Sequence, residues 1–489
     1  METYVQDVKN FKMCLRRTMK TLFIQYEVAI KSYGVMILSA CLKKHGFETD
    51  LLIEALEKDL LKKICDINPD IIAFSVSAAD HGWLLETIKK IKTKINKIII
   101  VGGPLPTFYP DIIKEEFIDI ICIGEGEVPI VELLEKLERN EDITNIRNLW
   151  VKKNGKIFKN PVRDLIDNLD SLPFADRSIY EKYPFFKLVN YDTFLAGIGC
   201  TGRCTFCFNT QYNEIYANKG KMIRRRSVDH LISEIKQVKG QNKKLKQIVF
   251  IDSNFLLCSK DWLDEFIEKY KNVINIPFVS GTRADFVNED SISKLKRAGC
   301  CGIRIGVESA NAFIRETVMK KGLTHEQIIN ACDIIKKHKI NLQTFNILGA
   351  PGETLGTALE SYELSWRIHP QHAWCSLISF YPGTEILKIA QEQNLVKNGD
   401  DFKNIDRSYF SSLPYEHRHK KEIINLQRLF QFGNTLRIPP KIMAYLIKLP
   451  QNHLYKIIFK INYALGLKNW MPHISWRLMF KMSRISKYL

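Results

Sequence analysis

Twice along this chain, short runs of aliphatic and β-branched residues alternate with stretches whose apolar residues recur every three or four positions. Runs too short to be helices, each followed by a helix long enough to recross a sheet, call for parallel strands with helices on their faces. In the first series, strands are expected at Leu22–Gln25, Phe47–Ile53, Ile71–Val76, Ile98–Val101 and Ile120–Ile123. Helices are expected at Val35–His45, Lys58–Cys65, Trp83–Lys92, Asp111–Glu116 and Pro129–Glu138. This pattern predicts an α/β, doubly wound parallel sheet. The second series has strands at Thr193–Gly197, Gln247–Asp252, Pro277–Arg283, Gly302–Glu308, Asn341–Leu348 and Ala373–Phe380. Six strand–helix units predict a partial (β/α)6 barrel. Both architectures place ligands beyond the carboxyl ends of their strands.

A chain of 489 residues, 45% of them hydrophobic, can bury the cores of two domains and a small third. The expected divisions are a first domain over 1–138, a connector over 139–190, a barrel over 191–400 and a basic helical region over 401–489. Within the connector, Lys153-Asn154-Gly155 makes a hairpin turn between Asn148–Val151 and Lys156–Lys159, and Leu169-Asp170-Ser171-Leu172-Pro173 interrupts regular structure. The start has no apolar signal region, and nothing approaches the roughly 18 apolar residues of a membrane span, so a cytoplasmic, non-spanning protein is expected. Twelve cysteines then read as thiols or metal ligands, not disulfides. The net charge of +18 is concentrated in the tail, which has no Asp or Glu from Ile423 to Leu489. Basic residues there interleave with Leu, Ile, Phe, Trp and Tyr, as in Lys441–Lys448 and Ser475–Lys481. Two readings stand: contact with an anionic membrane surface, or a helical cap over the open side of the barrel. No recognition module accompanies the charge, so no nucleic-acid partner is expected.

Cys200, Cys204 and Cys207 stand in C-x3-C-x2-C spacing just after the first barrel strand. A closed zinc site needs a fourth ligand, and the next histidine, His230, lies well beyond the loop. A cubane cluster on three cysteines leaves one iron open to a ligand. In the first domain, Gly102-Gly103 and Gly124-Glu125-Gly126 end two strands, where glycine either allows close backbone approach to a ligand or simply serves a turn. Arg224-Arg225-Arg226 reads as solvated or structurally paired charge, with a phosphate contact as the alternative.

The run from Gly199 to Phe208 resembles the cluster loop of the radical S-adenosylmethionine (SAM) enzymes, including the aromatic Phe206 before the last cysteine. The resemblance implies a [4Fe-4S] cluster on Cys200, Cys204 and Cys207, with SAM chelated to its free iron. It further implies SAM contacts at successive strand ends: Asp252 and Asn254, with Ser253 where many relatives carry a second acid; Arg283; Glu308 and Ser309; Gly349 in the Phe345–Glu353 segment; and the Tyr381–Thr384 turn. The segments GVMILSACLKKHGFETDLL, IIVGGPLPTFYP and IDIICIGEGEVPIVELL resemble the cobalamin-binding domain found ahead of many of these enzymes. That implies cobalamin against Gly102, Gly103, Gly124, Glu125 and Gly126. The wider cobalamin-binding group carries D-x-H-x-x-G; here Asp80-His81-Gly82 has different spacing, implying a cobalt whose lower face is not held by histidine.

Taken together, the resemblance implies a methyltransferase acting on an unactivated carbon. Reductive cleavage of one SAM would give methionine and a 5′-deoxyadenosyl radical that takes hydrogen from the substrate, which then receives a methyl group carried by cobalamin. A second SAM would restore that methyl group. Electrons would come from an external donor such as flavodoxin or ferredoxin, and the basic tail favours an anionic or lipid-linked substrate. Radical cyclisation, rearrangement or coupling without methyl transfer is the alternative chemistry, and a non-catalytic iron–sulfur or cobalamin sensor the non-enzymatic one.

Overall fold

The first series folds into one sheet of seven strands in a computed structural model that describes residues 18–26, 31–397, 410–451, 453–470 and 475–476. The strands are β1 (Lys20–Gln25), β2 (Glu48–Ile53), β3 (Ile71–Ser75), β4 (Ile98–Gly102), β5 (Ile120–Cys122), β6 (Leu149–Lys153) and β7 (Lys156–Lys159). Their order is β2-β1-β3-β4-β5-β6-β7, parallel through β5. The chain reverses its winding between β1 and β3, which opens a crevice at the strand ends. Helices Tyr33–Lys44 and Glu127–Glu138 cover one face with Val35, Met36, Leu133 and Leu134, all buried. The expected helix at Asp111–Glu116 is instead a 3-10 turn over Pro110–Lys114, opened by Pro110.

The hairpin turns at Asn154 (φ 52°) and Gly155 (φ 73°), both left-handed. It is not part of a free connector: β6 pairs antiparallel with β5, Ile120 opposite Val151, so the first domain runs past 138 to Lys159. Here β5 would otherwise be an open edge, and the hairpin closes it.

The second series gives β8 (Tyr191–Phe194), a short antiparallel pair β9 (Gly197–Ile198) and β10 (Arg224–Arg225), then β11 (Gln247–Phe250), β12 (Phe278–Thr282), β13 (Cys300–Glu308), β14 (Asn341–Leu348) and β15 (His372–Leu377). Six of these form an all-parallel half-barrel in the order β15-β14-β13-β12-β11-β8. Helix Lys420–Thr435 packs Ile423, Leu426, Leu429 and Phe430 into a core shared with Ala373, Cys375 and Leu377 of β15. The described tail is thus a helical cap at the β15 edge, continued by helices Pro440–Leu446 and His453–Trp470. Cys14 and the part of the Ser475–Lys481 segment beyond Trp476 lie outside the described residues. Among the described residues, no helix is long and apolar enough to cross a membrane.

Candidate active site

The cysteine loop leaves β9 through Gly199, whose φ of 105° and 2.3 Å clearance between a would-be Cβ and the Met222 carbonyl oxygen admit only glycine. Thr205 ties the loop down: its N–H donates to the Met319 carbonyl (3.0 Å) and its hydroxyl to that of Val318 (2.8 Å). Cys204 is buried, and Cys200 and Cys207 are half-buried. Gly202 sits among them, so that a Cβ there would lie 3.5 Å from Cys200 Sγ and 3.6 Å from Cys204 Sγ. Burial pushes the Cys207 thiol up to about 11 and raises Cys204 as well, although Lys321 opposes the latter rise. Among the described residues, no three Cys, His, Asp or Glu side chains converge as on a single metal ion. A cubane cluster asks for a wider triangle, because each thiolate binds a different iron.

From this loop a chain of contacts runs along the strand ends. Arg283, after β12, points Nη1 to within 2.8 Å of the Gly202 Cβ position and makes a forked contact with Asp285 (3.0 and 3.1 Å). Its Nη2 also donates to the Lys321 carbonyl (3.2 Å). Lys321 Nζ in turn pairs with Glu308 Oε1 at 2.8 Å, both side chains buried. Burial works against the Lys321 charge, yet the Glu308 carboxylate beside it holds its pKa above the usual lysine value. Glu308 ends β13 at a φ of 64°, a left-handed turn that swings the carboxylate back over Gly306. Asp252 accepts from the Ala196 N–H (3.1 Å) through Oδ2, while Oδ1 stands 3.9 Å from Arg225 Nη1 without a hydrogen bond. Burial lifts Asp252 to about 6 against the pull of Arg225. Asn254 Nδ2 and Ser309 Oγ are also buried without partners. Proteins leave few such atoms unpaired, and three at the ends of β11 and β13 fit a polar ligand with donors and acceptors of its own.

The remaining expected residues divide. Gly349 does not join this group: a Cβ there would lie 2.1 Å from Leu413 Cδ2, and Tyr415 donates to its carbonyl (3.1 Å), so the C-terminal region covers it. Sequence reasoning missed Lys321; it stands in Met319-Lys320-Lys321-Gly322 with no spacing signal, and only its burial against Glu308 reveals it.

Gly102, Gly103, Gly124 and Gly126 line a cavity of about 490 Å³. It runs between the first sheet and its two covering helices, past Phe23, Leu38, Ile100 and Ile130, to Ile198, Gly199, Asn209 and Tyr212 beside the cysteine loop. Gly124 (φ 77°) gives way to Tyr216, whose hydroxyl would lie 1.9 Å from a Cβ at that position. Glu125 also lines the cavity, but its carboxylate is engaged elsewhere: it pairs with Arg224 (2.7 Å) and accepts from Ile166 N–H (3.0 Å), tying the domains together. Arg226 pairs with Glu234 (2.5 Å), and Arg225 donates to the Phe255 carbonyl (2.8 Å), so the arginine run is structural. Glu127 differs. It lines the cavity with Oε2 sealed from solvent and unpartnered, and burial and the nearby Glu125 raise it to about 7. Among the described residues, no histidine lines the cavity; His81 is buried at the head of helix His81–Lys92 against Tyr109. Where the cavity meets the cysteine loop, Phe108 of the first domain stacks on Phe208 (4.5 Å, 11°), and Phe208 meets Tyr381 (5.5 Å). Apolar walls, glycines at the mouth and the unpartnered Glu127 Oε2 suit part of a large, mostly apolar cofactor with polar edges, so the residues present fit cobalamin.

A half-barrel with a three-thiol loop is thus joined across one cavity to a doubly wound domain. The B12 binding domain profile matches residues 19–134 and the radical SAM superfamily profile residues 195–365. The chain belongs to the radical SAM superfamily, in the branch with an N-terminal B12-binding domain; its cofactors are a [4Fe-4S] cluster, SAM and cobalamin. It is 28% identical over 346 residues to an uncharacterized methyltransferase of Pyrococcus horikoshii, covering 69% of this chain and 73% of the relative. It is 24% identical over 376 residues to the anaerobic magnesium-protoporphyrin IX monomethyl ester cyclase of Rubrivivax gelatinosus, covering 72% and 65%. The radical SAM methyltransferase TsrM of Kitasatospora setae, solved with cobalamin and a [4Fe-4S] cluster, shares the fold at a TM-score of 0.69 and 17% identity, over 96% of this chain and all of that one.

Proposed function

We propose that this protein methylates an unactivated carbon of its substrate. The observation that carries this reading is the shared opening: the first-domain slot runs to Gly199 and Asn209, which flank the cysteine loop, so a methyl carrier and a radical source would act on one molecule between them. When bound, the cofactors supply one-electron cleavage of SAM and a transferable methyl group. In this reading Cys200, Cys204 and Cys207 hold the cluster. Arg283 and Lys321 neutralise the SAM carboxylate, Asp252 and Asn254 meet its amino group, and Glu308 with Ser309 receives ribose hydroxyls. Gly102, Gly103, Gly124 and Gly126 line the slot that takes part of the cobalamin, and the stacked Phe108 and Phe208 help exclude water. An external low-potential donor, a flavodoxin or ferredoxin, supplies electrons. The substrate is anionic or lipid-linked, met at a membrane surface by the basic tail.

The test is anaerobic reconstitution with iron, sulfide, cobalamin, SAM and dithionite, followed by quantification of bound corrinoid, 5′-deoxyadenosine and S-adenosylhomocysteine. Bound corrinoid with both products supports methyl transfer. Deoxyadenosine without S-adenosylhomocysteine favours the cyclase-type chemistry named for the Rubrivivax relative, and no SAM cleavage at all overturns the enzymatic reading.

A further inference from the structure

Helix His453–Trp470 has two apolar faces, and only one of them is covered. Its inner face closes the open side of the half-barrel. Tyr463 packs its ring on His372 (6.0 Å) and Trp374 (5.0 Å) of β15. These two side chains lie on the opposite strand face from Ala373 and Cys375, which meet the outer helix Lys420–Thr435, so they point into the barrel. Gly466 approaches so closely that a Cβ would lie 2.4 Å from His372 Cδ2. Ala464 reaches across to the core containing Val249 of β11 and Val279 of β12. The helix therefore closes the barrel interior along β15.

On its outer face, Leu454, Ile457, Ile461 and Leu465 follow one another at three- and four-residue steps and are 41–59% exposed. A surface helix normally turns polar residues outward; this one turns outward a full aliphatic row. The preceding helix adds exposed Ile442 (52%) and Tyr445 (77%). Exposed Lys441, Lys448, Lys456 and Lys460 accompany the row, with no acidic residue anywhere from Ile423 to Leu489. Aliphatic side chains alone would suit any apolar partner. Aliphatic side chains accompanied only by cations suit a surface that is apolar beneath and anionic above, where each lysine adds electrostatic attraction.

We propose that this face docks on an anionic lipid bilayer, and that the helix is the wall through which a lipid-borne substrate reaches the barrel. The second half rests on the enzymatic reading above; the docking itself does not. The full-length protein is sedimented with vesicles of zwitterionic phosphatidylcholine alone or mixed with anionic phosphatidylglycerol, at low and high salt. Sedimentation with the anionic vesicles, reduced by salt and absent with phosphatidylcholine alone, is the expected result. Ile457→Asp with Ile461→Asp should lower the bound fraction at least tenfold at unchanged circular dichroism, and Lys456→Gln with Lys460→Gln should lower it several-fold. Equal binding by wild type and both variants, or none by wild type, overturns the proposal. So does a wild-type dimer that Ile457→Asp with Ile461→Asp converts to monomer without any vesicle binding, since the face would then cover a second copy. Deoxyadenosine formation in detergent-free buffer is measured in parallel: its loss with vesicle binding intact sinks the enzymatic reading alone, and its survival without vesicle binding sinks the docking alone.

Discussion

The two ligand-facing regions share one interface yet are built in opposite ways. The first-domain slot is mostly apolar and already open, walled by Phe23, Leu38, Ile100 and Ile130 with glycines at its mouth. The barrel strand ends are charged and largely paired among themselves, Arg283 with Asp285 and Lys321 with Glu308. An open apolar slot binds by burying surface and is sensitive to volume. A pre-paired polar site binds by exchanging partners, so its affinity is the small difference between bonds formed to the ligand and bonds given up within the protein.

The sharpest way to break this contrast is to disable each region alone. Cys204→Ala removes one of three cluster ligands, so iron incorporation and deoxyadenosine formation should fall to background. Corrinoid binding should stay within about twofold, since groups with no shared partner act independently. Gly126→Leu is the mirror experiment: a Cβ at Gly126 already lies 3.3 Å from Leu38 Cδ2, so a larger side chain fills the slot. Corrinoid retention on a desalting column should be lost while iron content is unchanged. If either substitution abolishes both cofactors, the regions are one cooperative unit and the contrast fails.

The next largest effect concerns the paired site. Lys321→Met leaves Glu308 charged, buried and alone, which costs about 3–5 kcal/mol and should appear as a lowered denaturation midpoint. Adding Glu308→Gln should restore most of that stability, because no unpaired charge remains, while SAM retention stays impaired. Recovery of both properties by the double variant would show that the pair serves folding only.

What was legible in the sequence follows the same division. The strands were readable because buried parallel strands are short apolar runs, and the cysteine loop because three thiolates on one turn have few other uses. The hairpin at 153–155 was visible as a turn, but its partner was not: nothing local says that β6 would pair with β5. Glu125 and Glu127 look alike in Gly-Glu-Gly-Glu, and only Arg224, some hundred residues away, decides which carboxylate is held in an ion pair. Lys321 is one of 72 basic residues, and its burial is a tertiary fact. The tail's apolar residues promised a buried face without saying that helix His453–Trp470 would have a second, uncovered one.

A third test uses pH. Glu353 is 3% exposed, accepts from the Gly349 N–H and, by burial, is raised to about 8. The folded state therefore holds this proton more tightly than the unfolded chain does. Stability is full below the ordinary glutamate range near 4.5, falls as pH rises from there to about 8, and is flat above. The loss is on the order of a few kcal/mol. In Glu353→Gln this group's share of the slope should vanish while the shares of Asp252 and Glu127 remain, so the melting temperatures of variant and wild type diverge progressively from pH 5 to about 8. Parallel curves would mean that Glu353 is ionised in the fold.

The smallest expected effect probes the joint between the regions. Tyr216 comes from the barrel half, yet its hydroxyl accepts from Glu125 N–H (2.9 Å) and Asn148 Nδ2 (3.2 Å), both in the first-domain half. Tyr216→Phe keeps the ring that fills the space beside Gly124 and removes only the acceptor. The Glu125 N–H loses its acceptor while Asn148 Nδ2 keeps its bond to the Ile123 carbonyl (2.8 Å), a cost of about 1–3 kcal/mol that a urea midpoint can read. Because the slot's shape is kept, corrinoid retention should hardly change. A large loss of corrinoid with a small loss of stability would mean that hydrogen bonding at the slot's mouth, not its volume, selects the ligand, and the first region would then resemble the second.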